Sequence, residues 1–235
     1  MLRHVVIPDI HGREFWLRIL SENPIKETDK FVFLGDYTDS FDKTNDQIYT
    51  NLQHIINFKY DNYDKVVLLL GNHDIQYFNA DINDPNQYIC SGYRPEAHHS
   101  LHRLFNDNER LFQYAYQCED YIFTHAGIHA GWFLQRFKGS LDNNIAEQLN
   151  NPSSREEYNT LFDIGYSRWG AFPVGGPFWC DKQELCKPIP NYNQIVGHTR
   201  VKKIITQTRK DSIVWFTDCF PDNPQVNLEY LTLDI

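Results

Sequence analysis

The sequence predicts an α/β (α+β) fold, on three observations. A unit of strand, loop and helix recurs three times between residues 3 and 74, a run of closely spaced strands closes the chain, and the polar residues that could do chemistry cluster just after strand ends. With 235 residues, 41% of them hydrophobic, the chain is long enough for one full-sized domain with a substantial core, taken as residues 1–235.

Arg3 to Pro8 is a β-branched run that stops at Asp9, and Glu14 to Leu20 then carries Phe15, Leu17, Ile19 and Leu20 at helical spacing. Lys30 to Leu34 repeats the strand pattern before Gly35 and Asp36. Thr44 to Phe58 follows as a helix, with Ile48, Leu52, Ile55, Ile56 and Phe58 mostly three or four residues apart. Lys65 to Leu70 is apolar on both faces, as a central strand covered on both sides should be, and runs into Gly71, Asn72, His73 and Asp74. Pro95 to Asn108 is a His-rich helix. Leu111 to Tyr116 and Tyr121 to Phe123 read as strands, the second leading into Thr124, His125, Ala126 and Gly127. Residues 138–191 are irregular and Gly/Pro-rich around 170–177, which suggests an insertion shaping a cleft. Gln194 to Val196, Lys203 to Gln207, Ser212 to Phe216 and Val226 to Leu233 then read as strands of a second sheet packed on the first.

Composition narrows the function classes. Lys+Arg 22 against Asp+Glu 31 leaves a net charge of -9, which repels a polyanion and argues against a long nucleic acid as partner. The longest apolar run, Val66 to Leu70, is far below the roughly 18 residues of a spanning helix, so no membrane association is expected. Five cysteines at irregular spacing form neither a disulfide framework nor a zinc ribbon; reduced thiols and a cytoplasmic location are expected. Aromatic residues at 15% serve core packing.

The residues after the strands are Asp9 and His11, Asp36 and Asp39, Asn72 to Asp74, His125, and His198. Singly, each has an ordinary reading: Asp9 a helix N-cap, Asp36 a turn residue, His125 and His198 hydrogen-bonded structural imidazoles. Jointly they are oxygen and imidazole donors without a thiolate, a set suited to borderline-hard divalent ions. One shared carboxylate can hold two such ions roughly 3.5–4 Å apart.

Pro8-Asp9-Ile10-His11-Gly12, Gly35-Asp36-Tyr37-Thr38-Asp39, Gly71-Asn72-His73-Asp74, Thr124-His125-Ala126-Gly127 and Val196-Gly197-His198 resemble, in order, the motifs of calcineurin-like metallophosphoesterases, most closely those of the phosphoprotein-phosphatase (serine/threonine phosphatase) branch. The resemblance implies a four-layer metallophosphoesterase fold, with a central β-sandwich flanked by helices. It implies two divalent metal ions, Mn or else Fe or Zn, one held by Asp9, His11 and Asp36 and the other by Asp36, Asn72, His125 and His198. It further implies that a hydroxide bridging the ions attacks a phosphorylated substrate directly, with His73 as general acid and Asp39 orienting and charging it.

One departure matters. The branch places an arginine after the position matching Asp39, and here Ser40 stands there, unable to form a bidentate fork. Arg168 and Arg94 are the candidates to grip the phosphate beside Asn72. The expected activity is phosphomonoester hydrolysis, on phosphoserine/threonine or a small phosphate ester. A phosphodiester or a dinucleoside polyphosphate is the alternative, and a scaffold that has lost catalysis is the third reading. His98, His99 and His102 are read as surface or supporting residues rather than a third metal site, Asp74 as a brace of its loop, and no nucleotide-binding Gly-rich loop is present.

Overall fold

The computed structural model describes residues 1–78, 89–219 and 228–235. Two five-stranded sheets pack face to face with helices outside them. In the first, β1 (Arg3–Ile7), β2 (Asp29–Phe33), β3 (Val66–Leu69) and β4 (Phe112–Gln113) run parallel, and β10 (Leu231–Asp234) pairs antiparallel with β1. In the second, β5 (Ala115–Cys118), β6 (Tyr121–Thr124), β7 (Asn193–Val196), β9 (Ser212–Phe216) and β8 (Ile205–Arg209) lie side by side in that order, with β6, β7 and β9 parallel.

Strand alternation explains why the first sheet is apolar on both faces. Val6, Val32, Leu34, Val67 and Leu69 point inward to Phe123 and Ile195 of the second sheet. Val5, Ile7, Phe31, Phe33 and Leu68 point outward, into one cluster with Trp16 and Ile19 of α1 (Phe15–Glu22) and Ile48, Leu52 and Ile55 of α2 (Asn45–Asp61). Each such fully buried side chain contributes about 1.5–3 kcal/mol. The helix α2 begins at Thr44 with a capping box: Gln47 N donates to Thr44 Oγ1 (3.2 Å) and Thr44 N to Gln47 Oε1 (2.9 Å).

Two sequence expectations are corrected. Leu111 to Tyr116, read as one strand, is two strands in different sheets, because β4 pairs with β3 and β5 with β6. Tyr114 is the crossing. Its amide donates to Asn150 Oδ1 (2.8 Å), the Ala115 amide donates to the same oxygen (3.1 Å), and Asn150 Nδ2 donates back to Ala115 O (2.8 Å). Asn150 ends α5 (Ile145–Asn150), so the irregular stretch supplies the hydrogen bonds that the broken ladder lacks. The last strand, placed by sequence over Val226 to Leu233 in the second sheet, is β10 in the first; residues 226 and 227 lie outside the described residues. Asn72, His73 and Asp74 open the short helix α3 (Asn72–Phe78). The His-rich helix is α4 (Pro95–Asn106), and α6 (Arg155–Thr160) follows α5. Among the described residues no helix is long and apolar enough to cross a membrane.

Candidate metal centre and its cavity

Parallel strands end at the same edge of a sheet, so the loops after β1, β2, β3, β6 and β7 meet there. Backbone bonds lace the first two together, with His11 N donating to Asp36 O (2.6 Å) and Gly12 N to Tyr37 O (3.0 Å). Asp74 ties in the third. Its carboxylate accepts from Gly71 N (2.9 Å), Thr38 N (3.1 Å) and Thr38 Oγ1 (3.1 Å), bracing its loop. Burial and the charge of Asp36 raise Asp74 to about 8. Two glycines admit the carboxylates: a Cβ on Gly71 would strike Asp36 Oδ1, and one on Gly197 would strike Asp9 Oδ1.

The donors converge on two adjoining points. Asp9, His11 and Asp36 each offer one atom within 4.8 Å of the others. On the far side of Asp36, His125 Nε2 and His198 Nδ1 lie 3.2 Å apart, at 2.8 and 2.9 Å from Asn72 Oδ1. Asp36 Oδ2 is 3.5 Å from His11 Nε2 and 3.5 Å from His125 Nε2, so one oxygen faces both sets. Ring orientation is fixed from behind. His11 Nδ1 donates to Asp39 O (2.9 Å) and His125 Nδ1 to Leu34 O (2.8 Å), which leaves both Nε2 lone pairs aimed inward. Asn72 Nδ2 donates to Cys90 Sγ (3.3 Å), turning the amide oxygen to the imidazoles.

Electrostatics and strain point the same way. Burial, then the charges of Asp218 and Asp36, push Asp9 well above the usual carboxylate range, and burial with Asp36 raises Asp218 to about 6. Burial acts to raise Asp36 too, but the imidazoles of His125, His73 and His11 outweigh it and hold it low. Burial lowers His11, His125 and His198, a shift toward the neutral imidazole that can bind a cation. His198 Nε2 is buried without a hydrogen-bond partner. Crowded carboxylates, converging lone pairs and an unsatisfied imidazole nitrogen fit divalent cations well. Of the eight non-glycine residues with positive φ among those described, His11, Asp36, Asp39, Trp169 and His198 belong to this site or its cavity, a concentration of backbone strain that marks functional positions.

Beside the donors, His73 Nδ1 donates to Asp39 Oδ2 (2.8 Å). Burial alone would lower His73, but Asp36 and Asp39 outweigh it and raise the imidazole above its ordinary value. Asp39 is itself held by Tyr77 Oη (2.6 Å) and the Gln76 amide.

Asp9, His11, Asp36, Asp39, Asn72, His73 and His198 line a cavity of about 310 Å³ together with Arg168, whose Nε donates to Asp181 Oδ2 (2.9 Å); His125 and Asp74 do not line it. Arg94 is not brought there. Its guanidinium donates to Asn45 Oδ1 (2.7 Å), Lys43 O (2.7 Å) and Ser40 O, so it braces the loop before α2 instead of reaching a phosphate. His98 and His102 stack 5.8 Å apart and bond Tyr93 Oη and Tyr77 O, a supporting role behind α3. Sequence reasoning missed Arg13, Arg200 and Asp218, which also line the cavity. Arg13 follows Gly12, Arg200 comes two residues after His198, and Asp218 two after β9, so proximity to a motif loop or strand end was the available signal.

A family model described as calcineurin-like phosphoesterase matches residues 2–202. No curated protein matches the chain. Among solved structures, the cold-active protein-tyrosine phosphatase of a psychrophilic Shewanella species is similar at 18% identity and TM-score 0.59, covering 100% of this chain and 76% of that one. A protein serine/threonine phosphatase from Saccharomyces cerevisiae is similar at 13% identity and TM-score 0.52, covering 100% of this chain and 80% of that one. At these identities the likeness is one of fold.

Proposed function

The chain belongs to the calcineurin-like phosphoesterases, hydrolases that use divalent metals, and from that membership we propose that it is a phosphoprotein-phosphatase-like phosphomonoesterase with a two-cation centre, Mn²⁺ being the favoured ion. The observation that carries the reading is the single Asp36 oxygen set 3.5 Å from an imidazole nitrogen of each donor set. Asp9, His11 and Asp36 would hold one ion, and Asp36, Asn72, His125 and His198 the other. When bound, such a pair supplies the Lewis acidity that ionises water and offsets charge on phosphoryl oxygens.

The chain's own groups do the rest. Arg168, steered by Asp181, grips a phosphoryl oxygen in place of the arginine that Ser40 replaces, and Asn72 stands beside it. His73, whose proton affinity Asp36 and Asp39 raise, gives its proton to the departing oxygen. Water oxygen bonds to phosphorus, the ester P–O bond breaks, and the products are an alcohol or phenol and inorganic phosphate. Phosphate release after chelation and Mn²⁺ readdition tests this: activity should vanish and return, two equivalents of metal should bind, and Asp36→Asn should lose both. Faster hydrolysis of bis-p-nitrophenyl phosphate or diadenosine tetraphosphate than of p-nitrophenyl phosphate overturns the monoester reading in favour of a diester or anhydride.

A further inference from the structure

Phe41 is 87% exposed and Trp169 90% exposed, more than any other large apolar side chain among the described residues except Met1. Both line the cavity that holds the metal donors, whereas the other exposed apolar side chains stand outside it. Rings of this size bury 150–250 Å² when covered, so two left bare at the rim of one polar cavity mark a surface that awaits an apolar partner.

Neither ring is loosely presented. Trp169 sits in the left-handed region at φ 59°, a conformation that a residue with a Cβ adopts only where its surroundings hold it there. Its turn is locked: Tyr166 N donates to Phe172 O (2.7 Å), Trp169 N to Tyr166 O (3.1 Å), Gly170 N to Gly165 O (2.9 Å) and Ser167 N to Glu184 Oε1 (2.8 Å). A Cβ on Gly170 would strike the Ile164 carbonyl, so the chain is pressed against its neighbour directly after the indole. Phe41 rides on the loop that Arg94 pins through Ser40 O and Lys43 O. The indole adjoins Arg168 in sequence, and Phe41 stands two residues from Asp39, the partner of His73. Each ring is therefore tied to one end of the reaction, the phosphate grip or the proton delivered to the leaving oxygen.

We propose that Phe41 and Trp169 clamp an aromatic leaving group, so that the enzyme selects aryl phosphate monoesters, phosphotyrosine side chains among them, over alkyl phosphates such as phosphoserine. The inference rests on the phosphomonoesterase reading. An aryl ester carries a flat apolar face one bond from the bridging oxygen, and phosphoserine offers only a methylene there. Aromatic contacts of this kind contribute enough to shift selectivity about tenfold.

The test compares kcat/KM for a phosphotyrosine peptide, the same peptide with phosphoserine, phenyl phosphate and a nucleoside 5′-monophosphate, in the cation-loaded protein. Comparing the aryl-to-alkyl ratio between variants cancels the intrinsic reactivity of phenol esters. Phe41→Ala and Trp169→Ala should each lower that ratio about tenfold, mainly through KM, and Trp169→Phe should restore most of it. Leu17→Ala, on an exposed apolar residue outside the cavity, should leave it alone. Equal loss on phenyl phosphate and the peptide assigns the clamp to the ring itself; loss confined to the peptide, or a preference for the nucleotide over both aryl esters, overturns it. A ratio within twofold of wild type in both alanine variants overturns the clamp and leaves the phosphatase reading standing. Absence of hydrolysis on every ester, with phenylphosphonate still bound more tightly than methylphosphonate in a Trp169-dependent way, defeats the phosphatase reading and not the ring recognition.

Discussion

His73 shows how much chemistry one side chain's surroundings can set. Its Nδ1 is bound to Asp39, whose other oxygen takes the Tyr77 hydroxyl, so the ring is aimed by a carboxylate that is itself fixed from behind. His73→Asn should retain bound cations and lose turnover by about 10²–10⁴-fold on substrates with poor leaving groups, with a smaller loss on p-nitrophenyl phosphate, which needs no proton on departure. Equal losses on the two substrates in steady-state assays would remove His73 from proton delivery. The donor residues were legible in the sequence because each sits within three residues of a glycine after an apolar run. Arg94 misled because an arginine's reach is visible in sequence while its hydrogen-bond partners are not. Asp218 was hidden because it carries no motif around it.

Elements were legible where period and caps agreed, and α2 is the clearest case, with its Thr44 and Gln47 box and its apolar face. They were not legible where pairing decides. Leu111 to Tyr116 reads as one strand, and only the partner strands reveal that the chain changes sheets at Tyr114. The start of the first sheet has its own electrostatic tie. Arg3 Nε and Nη2 donate to Asp29 Oδ1 (3.0 Å) and Oδ2 (2.7 Å) across paired β1 and β2, and that bond, with burial opposing it, lowers the Asp29 carboxyl below its ordinary value. A folded pKa below the unfolded one contributes stability above the unfolded pKa, lost as pH falls through the folded value. Asp29→Asn should therefore cost about 1.5–3 kcal/mol at neutral pH and progressively less under acid. Denaturant titrations at neutral and acidic pH check it, and a pH-independent cost would sink the electrostatic account.

At the scale of the molecule, the net charge of -9 and the buried carboxylates Asp9, Asp36 and Asp218 place unfavourable negative charge inside an already anionic chain. Divalent cations should relieve it. Ion at about 100 times its Kd stabilises a protein by about 2.7 kcal/mol, which should appear as a rise in melting temperature reversed by chelator and absent in Asp36→Asn. An unchanged melting temperature on saturation would contradict the crowding described for these carboxylates.

The two donor sets differ in how far along the chain they are gathered. Asp9, His11 and Asp36 come from the first 36 residues and the loops of one sheet, whereas the second set also needs His125 and His198 from the other. His198 N meets the Asp9 carboxylate across 189 positions of chain. An ion held by the second set would therefore join the two sheets directly, tying Asp36 and Asn72 of the first to His125 and His198 of the second, whereas an ion held by the first set alone would bind loops of a single sheet.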